Sequence, residues 1–395
     1  MHMITIEEYQ HRRSRLQKEI AQNSLDAYLV SSEDSIYYLT GASYKPLERP
    51  FFIVVWPERA PTLIVPMLEK VHMTKANIGA VKPYWEYPAP AGSGWADILK
   101  TELGNIKTLG VEPSLTLEIA AVLKPFSPQS LPLVDKMRLI KSAAELEMIR
   151  RSCHYADLGM QRIMNTSYYG ATVLEIFSEA RGLQAAVLKD GDYEPLTSSF
   201  LTVVWPAPFS SQPHGIPKVD DRLGNGPLVA MSFIRVNGYA AEVERTYFHR
   251  MPSEDERELF GHMENARKAA FDRVKPGASC SEIDEAANNY LREKGLTEYL
   301  LHRTGHGIGM GNHEGPYVAE GSEDVLEENM VISIEPGIYV PDVGGFRHSD
   351  TVLVTNSGAE YLTKYATDID SLTVPAYKIL KRLKGKLIRS AVGIK

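Results

Sequence analysis

His302-Arg-Thr-Gly-His-Gly-Ile-Gly-Met-Gly-Asn-His-Glu-Gly-Pro316 sets three histidines among five glycines. Glycine lets the backbone pass close to a ligand and take dihedrals that side chains forbid, while imidazole serves as a metal ligand or proton carrier near neutral pH. The run reads as a site carried on a loop, with His306 in its tightest glycine context and His313 seven residues on. His302 lies outside the glycine run and reads as a supporting residue.

Outward from this run, the chemistry continues on strands. Apolar Val331-Ile-Ser-Ile334 predicts a buried strand that delivers Glu335 ahead of Pro336-Gly337. Upstream, strands are predicted near 199–205, 228–236 and 239–248, and another at 351–355. Glu242 and Glu244 are two apart on one of them, so both point to the same face. Two carboxylates facing one way in a core strand repel each other; a metal, an arginine, or an amidinium or guanidinium substrate between them offsets that cost. His214 sits between Pro213 and Pro217, whose fixed dihedrals stiffen the loop, and a rigidly held imidazole suits general acid–base work.

Helices are predicted at about 142–165, 172–188, 254–275 and 280–295, the first with Ser142 as cap and Glu145 at the capping-box position. The N-terminal third alternates differently. A charged helix over 5–22 precedes apolar strand candidates at Ala27, Phe51–Val55 and Thr62–Pro66, then a strand at Thr108 and a helix over Thr116–Leu123. Pro125, Pro128 and Pro132 break this pattern. Three segments are expected: a smaller α/β domain over 1–134, a larger α+β domain over 135–375, and a basic tail over 376–395. Lys378 to Lys395 contains seven Lys/Arg and no acid, and reads as a solvated terminal helix.

The net charge of −7 and pI near 5.9 speak against general nucleic-acid binding, which needs a basic excess. No apolar run approaches the roughly 20 residues of a membrane span, and the start carries no basic-then-apolar leader. Cys153 and Cys280, with no metal-pair spacing, fit a reducing cytoplasm. A soluble cytoplasmic protein is expected.

Five landmarks line up: Pro213-His-Gly-Ile-Pro217, Asn237-Gly-Tyr with Glu244-Arg-Thr246, His302–Pro316, Glu335-Pro-Gly337, and Gly345-Phe-Arg-His-Ser-Asp350. In this order and at these separations they resemble the creatinase/prolidase family, the pita-bread hydrolases that include aminopeptidase P and methionine aminopeptidase. The resemblance implies a pita-bread catalytic domain over 135–375 behind a creatinase/prolidase-type N-terminal domain. It also implies a homodimer in which the partner's N-terminal domain closes the active site.

Metallopeptidases of that family hold two ions through two aspartates, a histidine and two glutamates. The resemblance puts Met231 and Glu242 at the aspartates, His306 at the histidine, and Glu335 and Ser349 at the glutamates, so two carboxylates are missing. Creatinase, the metal-free member, matches at His214 as general base and at Glu244 and Glu335 as substrate-holding glutamates. Arg49, after Tyr38-Leu-Thr-Gly41, resembles its arginine that reaches the partner's active site to bind the substrate carboxylate, while Tyr317 stands where creatinase has a second one, which speaks against creatine itself.

The expectation is therefore a creatinase-like hydrolase that cleaves a C–N bond of a small cationic substrate bearing a carboxylate, with no cofactor. His214, His306, His313, Glu244 and Glu335 would be catalytic, and Arg49, Glu242, Tyr317 and His348 would contact substrate. Alternatives are a metal-dependent Xaa-Pro dipeptidase with one ion (Mn, Co, Zn or Fe) on Glu242, His306 and Glu335, an ectoine-hydrolase-like enzyme, or a non-enzymatic peptide-binding module.

Overall fold

The computed structural model describes residues 4–394. Met1 to Met3, on which the reading of no leader partly rests, and Lys395 of the basic tail lie outside them. The chain divides into two compact units between Arg138 and Leu139.

The first unit is a six-stranded sheet flanked by helices. Its strands are β1 (Ala27–Val30), β2 (Phe52–Val55), β3 (Thr62–Pro66), β4 (Ala80–Tyr84), β5 (Leu109–Val111) and β6 (Pro128–Ser130), in the order β4-β3-β2-β1-β5-β6. Leu29, Phe52, Val54, Ile64, Leu99 and Leu109 form its apolar centre. Helix Ile6–Gln22 donates Arg12 to the Tyr38 carbonyl at 2.9 Å and Arg13 to the Leu39 carbonyl at 2.7 Å. These guanidiniums satisfy and electrostatically complement the C-terminal carbonyls of helix Glu33–Thr40, which Gly41 ends at a φ of 70°. β4 goes unpredicted in the sequence because it is an edge strand with Lys82 and Pro83 inside it and little burial.

The second unit is built on an eight-stranded antiparallel sheet. The unit's strands are β7 (Ser199–Trp205), β8 (Leu228–Val236), β9 (Tyr239–Tyr247), β10 (Gly305–Gly307), β11 (Glu314–Val318), β12 (Val331–Ile334), β13 (Gly337–Val340), β14 (Gly344–Arg347), β15 (Ser349–Thr355) and β16 (Gly358–Tyr361). The order is β11-β10-β12-β15-β9-β8-β7, with β16 on β15, and β13 and β14 form a separate ribbon. Helix Ala143–Thr166, opened by the Ser142/Glu145 capping box, packs on β8 and β9. Gly159 permits this approach, since a Cβ there would lie 2.1 Å from Ser232 Oγ.

The helix predicted over 172–188 is two helices, Val173–Phe177 and Ala180–Asp190. The carbonyl of Ile176 accepts the Thr202 hydroxyl at 2.8 Å, and Ser178 Oγ donates to the Glu175 carbonyl at 2.8 Å, so two acceptors of a continuous helix are engaged at the break. Behind the sheet, Asp350 accepts from Arg245 at 2.8 Å, Arg267 at 2.6 Å and Thr363 at 2.9 Å, which ties β15 to β9 and to helix Glu254–Phe271. Such a fully partnered buried carboxylate is structural.

His249 ends a buried relay. Its Nδ1–H donates to the Gly224 carbonyl at 2.7 Å, and its Nε2 accepts from Ser167 Oγ at 2.8 Å, which in turn accepts from Tyr247 Oη at 2.6 Å. Burial pushes the imidazole down from 6.5 to about 4. A depressed folded value means that the unfolded chain binds the extra proton first as pH falls. His249 therefore costs nothing above pH 6.5 and removes about 3 kcal/mol of stability as pH drops from 6.5 to 4. His249→Gln should flatten that part of the difference in urea stability between pH 7 and pH 4; an unchanged slope would refute the neutral relay.

Candidate active site

Nine successive residues of β9 are buried, and alternation turns Glu242 and Glu244 to one side. β8 lies across from them, with Phe233 opposite Glu242 and Met231 opposite Glu244. The cation between the carboxylates and the rest of the chain is an arginine. Arg347, the last residue of β14, donates from Nη2 to Glu244 Oε1 at 2.6 Å and pairs through Nε with the other oxygen. Ser349 Oγ donates to Glu242 Oε1 at 2.8 Å.

β12 ends on the residue before Glu335, whose Oε1 accepts from Ser333 Oγ at 3.2 Å; the same Ser333 oxygen accepts the His306 backbone N–H at 3.0 Å. The glycines beside His306 allow this crowding. A Cβ at Gly305 would meet the Ser333 carbonyl at 2.1 Å, and one at Gly307 would meet the Gly315 carbonyl at 1.9 Å. Glu314 anchors the rest of the loop, accepting the Gly311 N–H at 3.0 Å and pairing with buried Lys141 at 3.2 Å. The ring nitrogens of His302 lie 2.7 Å from the Arg303 carbonyl and 2.7 Å from Tyr339 Oη.

The result is an acidic cluster, buried at Glu242, Glu244 and His306 and open at the exposed His313. His306 Nε2 lies 3.0 Å from Glu335 Oε1 and 3.8 Å from Glu242 Oε1, and the two histidine rings His306 and His313 are 3.9 Å apart. Burial works against a charged His306, yet Glu335 and Glu242 outweigh it and lift the imidazole to about 9. Burial also presses Glu335 upward, and His306 and Arg347 overcome this to hold its carboxyl below the ordinary range. Glu242 goes the other way, raised by burial and by the charge of Glu335, and burial likewise raises Glu244 against the pull of Arg347. His313 is pushed down to about 4 by burial and by the neighbouring His306. Three carboxylates thus share the charges of His306 and Arg347.

This cluster forms the floor of a cavity of about 680 Å³. One wall is apolar, made by Phe177 at the helix break, Leu201, Val203, Trp205, Ile216 and Met231. His214 stands exposed on the lining, in a loop pinned by Trp205 Nε1 donating to the Gly215 carbonyl at 2.6 Å.

The structure thus brings His214, His306, His313, Glu242, Glu244 and Glu335 to one cavity. Two substrate-contact expectations, His348 and Tyr317, take other places. His348 is fully buried with Nδ1 2.8 Å from Glu264, because strand alternation turns it away from the face that Ser349 and Arg347 share. Tyr317 lies on β11 with its ring under Arg303 at 5.0 Å and does not line the cavity. Arg49, expected to reach the partner's site, pairs within the first unit with Glu86 and with Glu48. Glu244 is not free to clamp a guanidinium substrate, since Arg347 already fills that place. Sequence reading missed Arg347 as a site residue, although a core carboxylate in want of a cation and an arginine inside the last landmark were both visible.

Residues 147–356 match the model of metallopeptidase family M24, and residues 12–140 that of the creatinase/prolidase N-terminal domain. The Xaa-Pro dipeptidase of Pyrococcus horikoshii is 32% identical over 351 residues, covering 87% of this chain and 94% of the relative. That of Pyrococcus furiosus is 31% identical over 359 residues, covering 89% and 97%. Among solved structures, the prolidase from Pyrococcus horikoshii superposes with a TM-score of 0.78 at 30% identity over 91% of this chain and 99% of that one. Dipeptidase PepE from Mycobacterium ulcerans gives 0.81 at 26% over 93% and 98%.

These matches overturn the expectation of a site that needs no cofactor, because the matched family is one of metallopeptidases. The geometry fits an ion as well: Glu242, His306 and His313 present one carboxylate oxygen and two ring nitrogens within 4.8 Å of one another. His306 Nε2 is buried and close to both carboxylates without hydrogen-bond alignment to either, as suits an atom placed to hold a cation. The donor set differs from the one expected in having His313 as its third member where Glu335 was named.

Proposed function

The chain belongs to metallopeptidase family M24, with the pita-bread catalytic fold behind a creatinase/prolidase-type N-terminal domain, and on that premise we propose that it is a metal-dependent hydrolase of small peptides, an Xaa-Pro dipeptidase-like enzyme. It is a hydrolase acting on C–N bonds. The observation that carries the finer reading is the three-donor cluster of Glu242, His306 and His313 on the lining of a cavity of about 680 Å³. This replaces the creatinase-like reading: the cation clamp which that reading required is closed by Arg347.

Glu242, His306 and His313 would hold one divalent ion, whose chemistry there is Lewis-acid polarisation of the scissile carbonyl. Two neighbouring positions that a second ion would need are not donors of charge: Met231 offers a thioether, and the Ser349 hydroxyl is spent on Glu242. Glu335 adds negative charge beside His306, whose Nδ1 lies 3.1 Å from the Gly307 carbonyl that would orient the ring. His214, exposed on the cavity wall and stiffened by its prolines, would carry a proton to the leaving nitrogen. The wall of Phe177, Leu201, Val203 and Trp205 would receive an apolar side chain or a prolyl ring and exclude water.

The test is a hydrolysis panel of Xaa-Pro dipeptides, Xaa-Ala dipeptides, creatine and longer peptides, run with and without a chelator. Chelator-sensitive cleavage of Xaa-Pro dipeptides is the expected result. Cleavage of creatine alone, or of no peptide under any metal, would refute the reading.

A further inference from the structure

The basic tail forms a helix, Ile379–Ala391, that docks on its own unit with its charged side inward. Gly385 decides this orientation. It is buried against Glu175 and Tyr168 so closely that a Cβ would lie 1.8 Å from Glu175 Oε2. Lys384 pairs with Glu179 at 2.8 Å, Arg389 pairs with Glu175, and Lys378 donates to the Met164 carbonyl at 2.6 Å. Every apolar residue on the other side is thereby turned out: Ile379 is 61% exposed, Leu380 79%, Leu383 59% and Leu387 73%. Their spacing of three and four makes one continuous stripe.

The stripe is bordered by cations. Lys381, Arg382 and Lys386 form no ion pair among the described residues, and Arg382 lies over the exposed Tyr377 ring at 4.9 Å. Beside the helix opens a cavity of about 360 Å³, in which Arg222, Arg382 and Lys386 meet Tyr169, Ile379 and Leu383. Cations and tyrosines at the edge of an apolar stripe are the arrangement of a helix lying in a membrane interface, with leucines among acyl chains and cations at the phosphates. We propose that the terminal helix docks this protein on an anionic lipid bilayer.

A second copy of the chain fits the face less well. A two-fold contact would set the same cations against one another across the seam. The charge distribution favours the bilayer with a fixed orientation. The segment Lys378–Lys395 carries seven of the chain's positive charges, so the remaining residues carry −14 within a net −7. An anionic surface attracts the helix and repels the rest.

Co-sedimentation of the full chain with vesicles tests this. Binding is expected to vesicles of equimolar phosphatidylglycerol and phosphatidylcholine and not to phosphatidylcholine alone, and it should fall with added salt. Lys381→Gln/Arg382→Gln/Lys386→Gln should bind about a hundredfold more weakly. Leu380→Glu/Leu383→Glu/Leu387→Glu should not bind, with an unchanged melting profile because all three side chains are exposed. The proposal is overturned if the unsubstituted chain ignores anionic vesicles, if it binds both vesicle types equally, or if the leucine variant binds as well as the parent. It is equally overturned if vesicles are ignored while the leucine variant changes the solution mass, which would assign the face to a contact between copies.

Discussion

His306→Ala is expected to lose the bound divalent ion and to lower kcat/KM for dipeptide hydrolysis by about a thousandfold, the equivalent of several kcal/mol of transition-state stabilisation. The size follows from the place of the residue. Its Nε2 lies within reach of Glu335 and Glu242, its ring is 3.9 Å from that of His313, and its backbone is fixed by Ser333. Removing the imidazole leaves Glu242 and His313 as two donors, too few for a tetrahedral site with one open position. Elemental analysis and steady-state kinetics on the same preparation read both effects. An alanine variant that keeps its ion and its rate would place the metal elsewhere.

Arg347→Met is expected to reduce stability by about 3–5 kcal/mol, because it strands the Glu244 carboxylate without its partner inside the sheet. Glu244 and Arg347 are both buried, and among the described residues Arg303, on the loop side, is the one other arginine or lysine on the cavity lining. Glu244→Leu/Arg347→Met removes both charges and should recover most of the loss, since replacing a whole buried pair by apolar groups is close to neutral. Urea unfolding of the parent, the single variant and the double variant supplies the comparison. A double variant as unstable as the single one would mean that Arg347 matters chiefly to Glu335 or Tyr339, not to Glu244.

Local pattern carried the strands of the second unit and the one-sided placement of Glu242 and Glu244, because a period of two is written directly in the side chains. The glycine–histidine run was equally legible, and the structure shows its reason in the contacts that a Cβ at Gly305 or Gly307 would make. What sequence left open was which charge meets which. Whether the cation facing Glu244 is a metal, a substrate or an arginine depends on β14 folding back against β9, a contact across about a hundred residues that periodicity does not report. His348 was misplaced for a related reason: its neighbours Arg347 and Ser349 face the site, and alternation turns the residue between them away. The helix break at Phe177 depends on a hydroxyl from β7, again a tertiary partner.

Loss of two carboxylates relative to the two-ion pattern invited a metal-free reading, and the three donors that remain close together correct it. Glu242, His306 and His313 are the donors proposed for one cation, with the Glu244–Arg347 ion pair beside them. The most direct test is metal content after chelation and reconstitution, measured by native mass spectrometry alongside Xaa-Pro hydrolysis. One divalent ion per chain, with activity returning in proportion to occupancy, is the predicted result; undiminished hydrolysis by the ion-free chain would contradict the account.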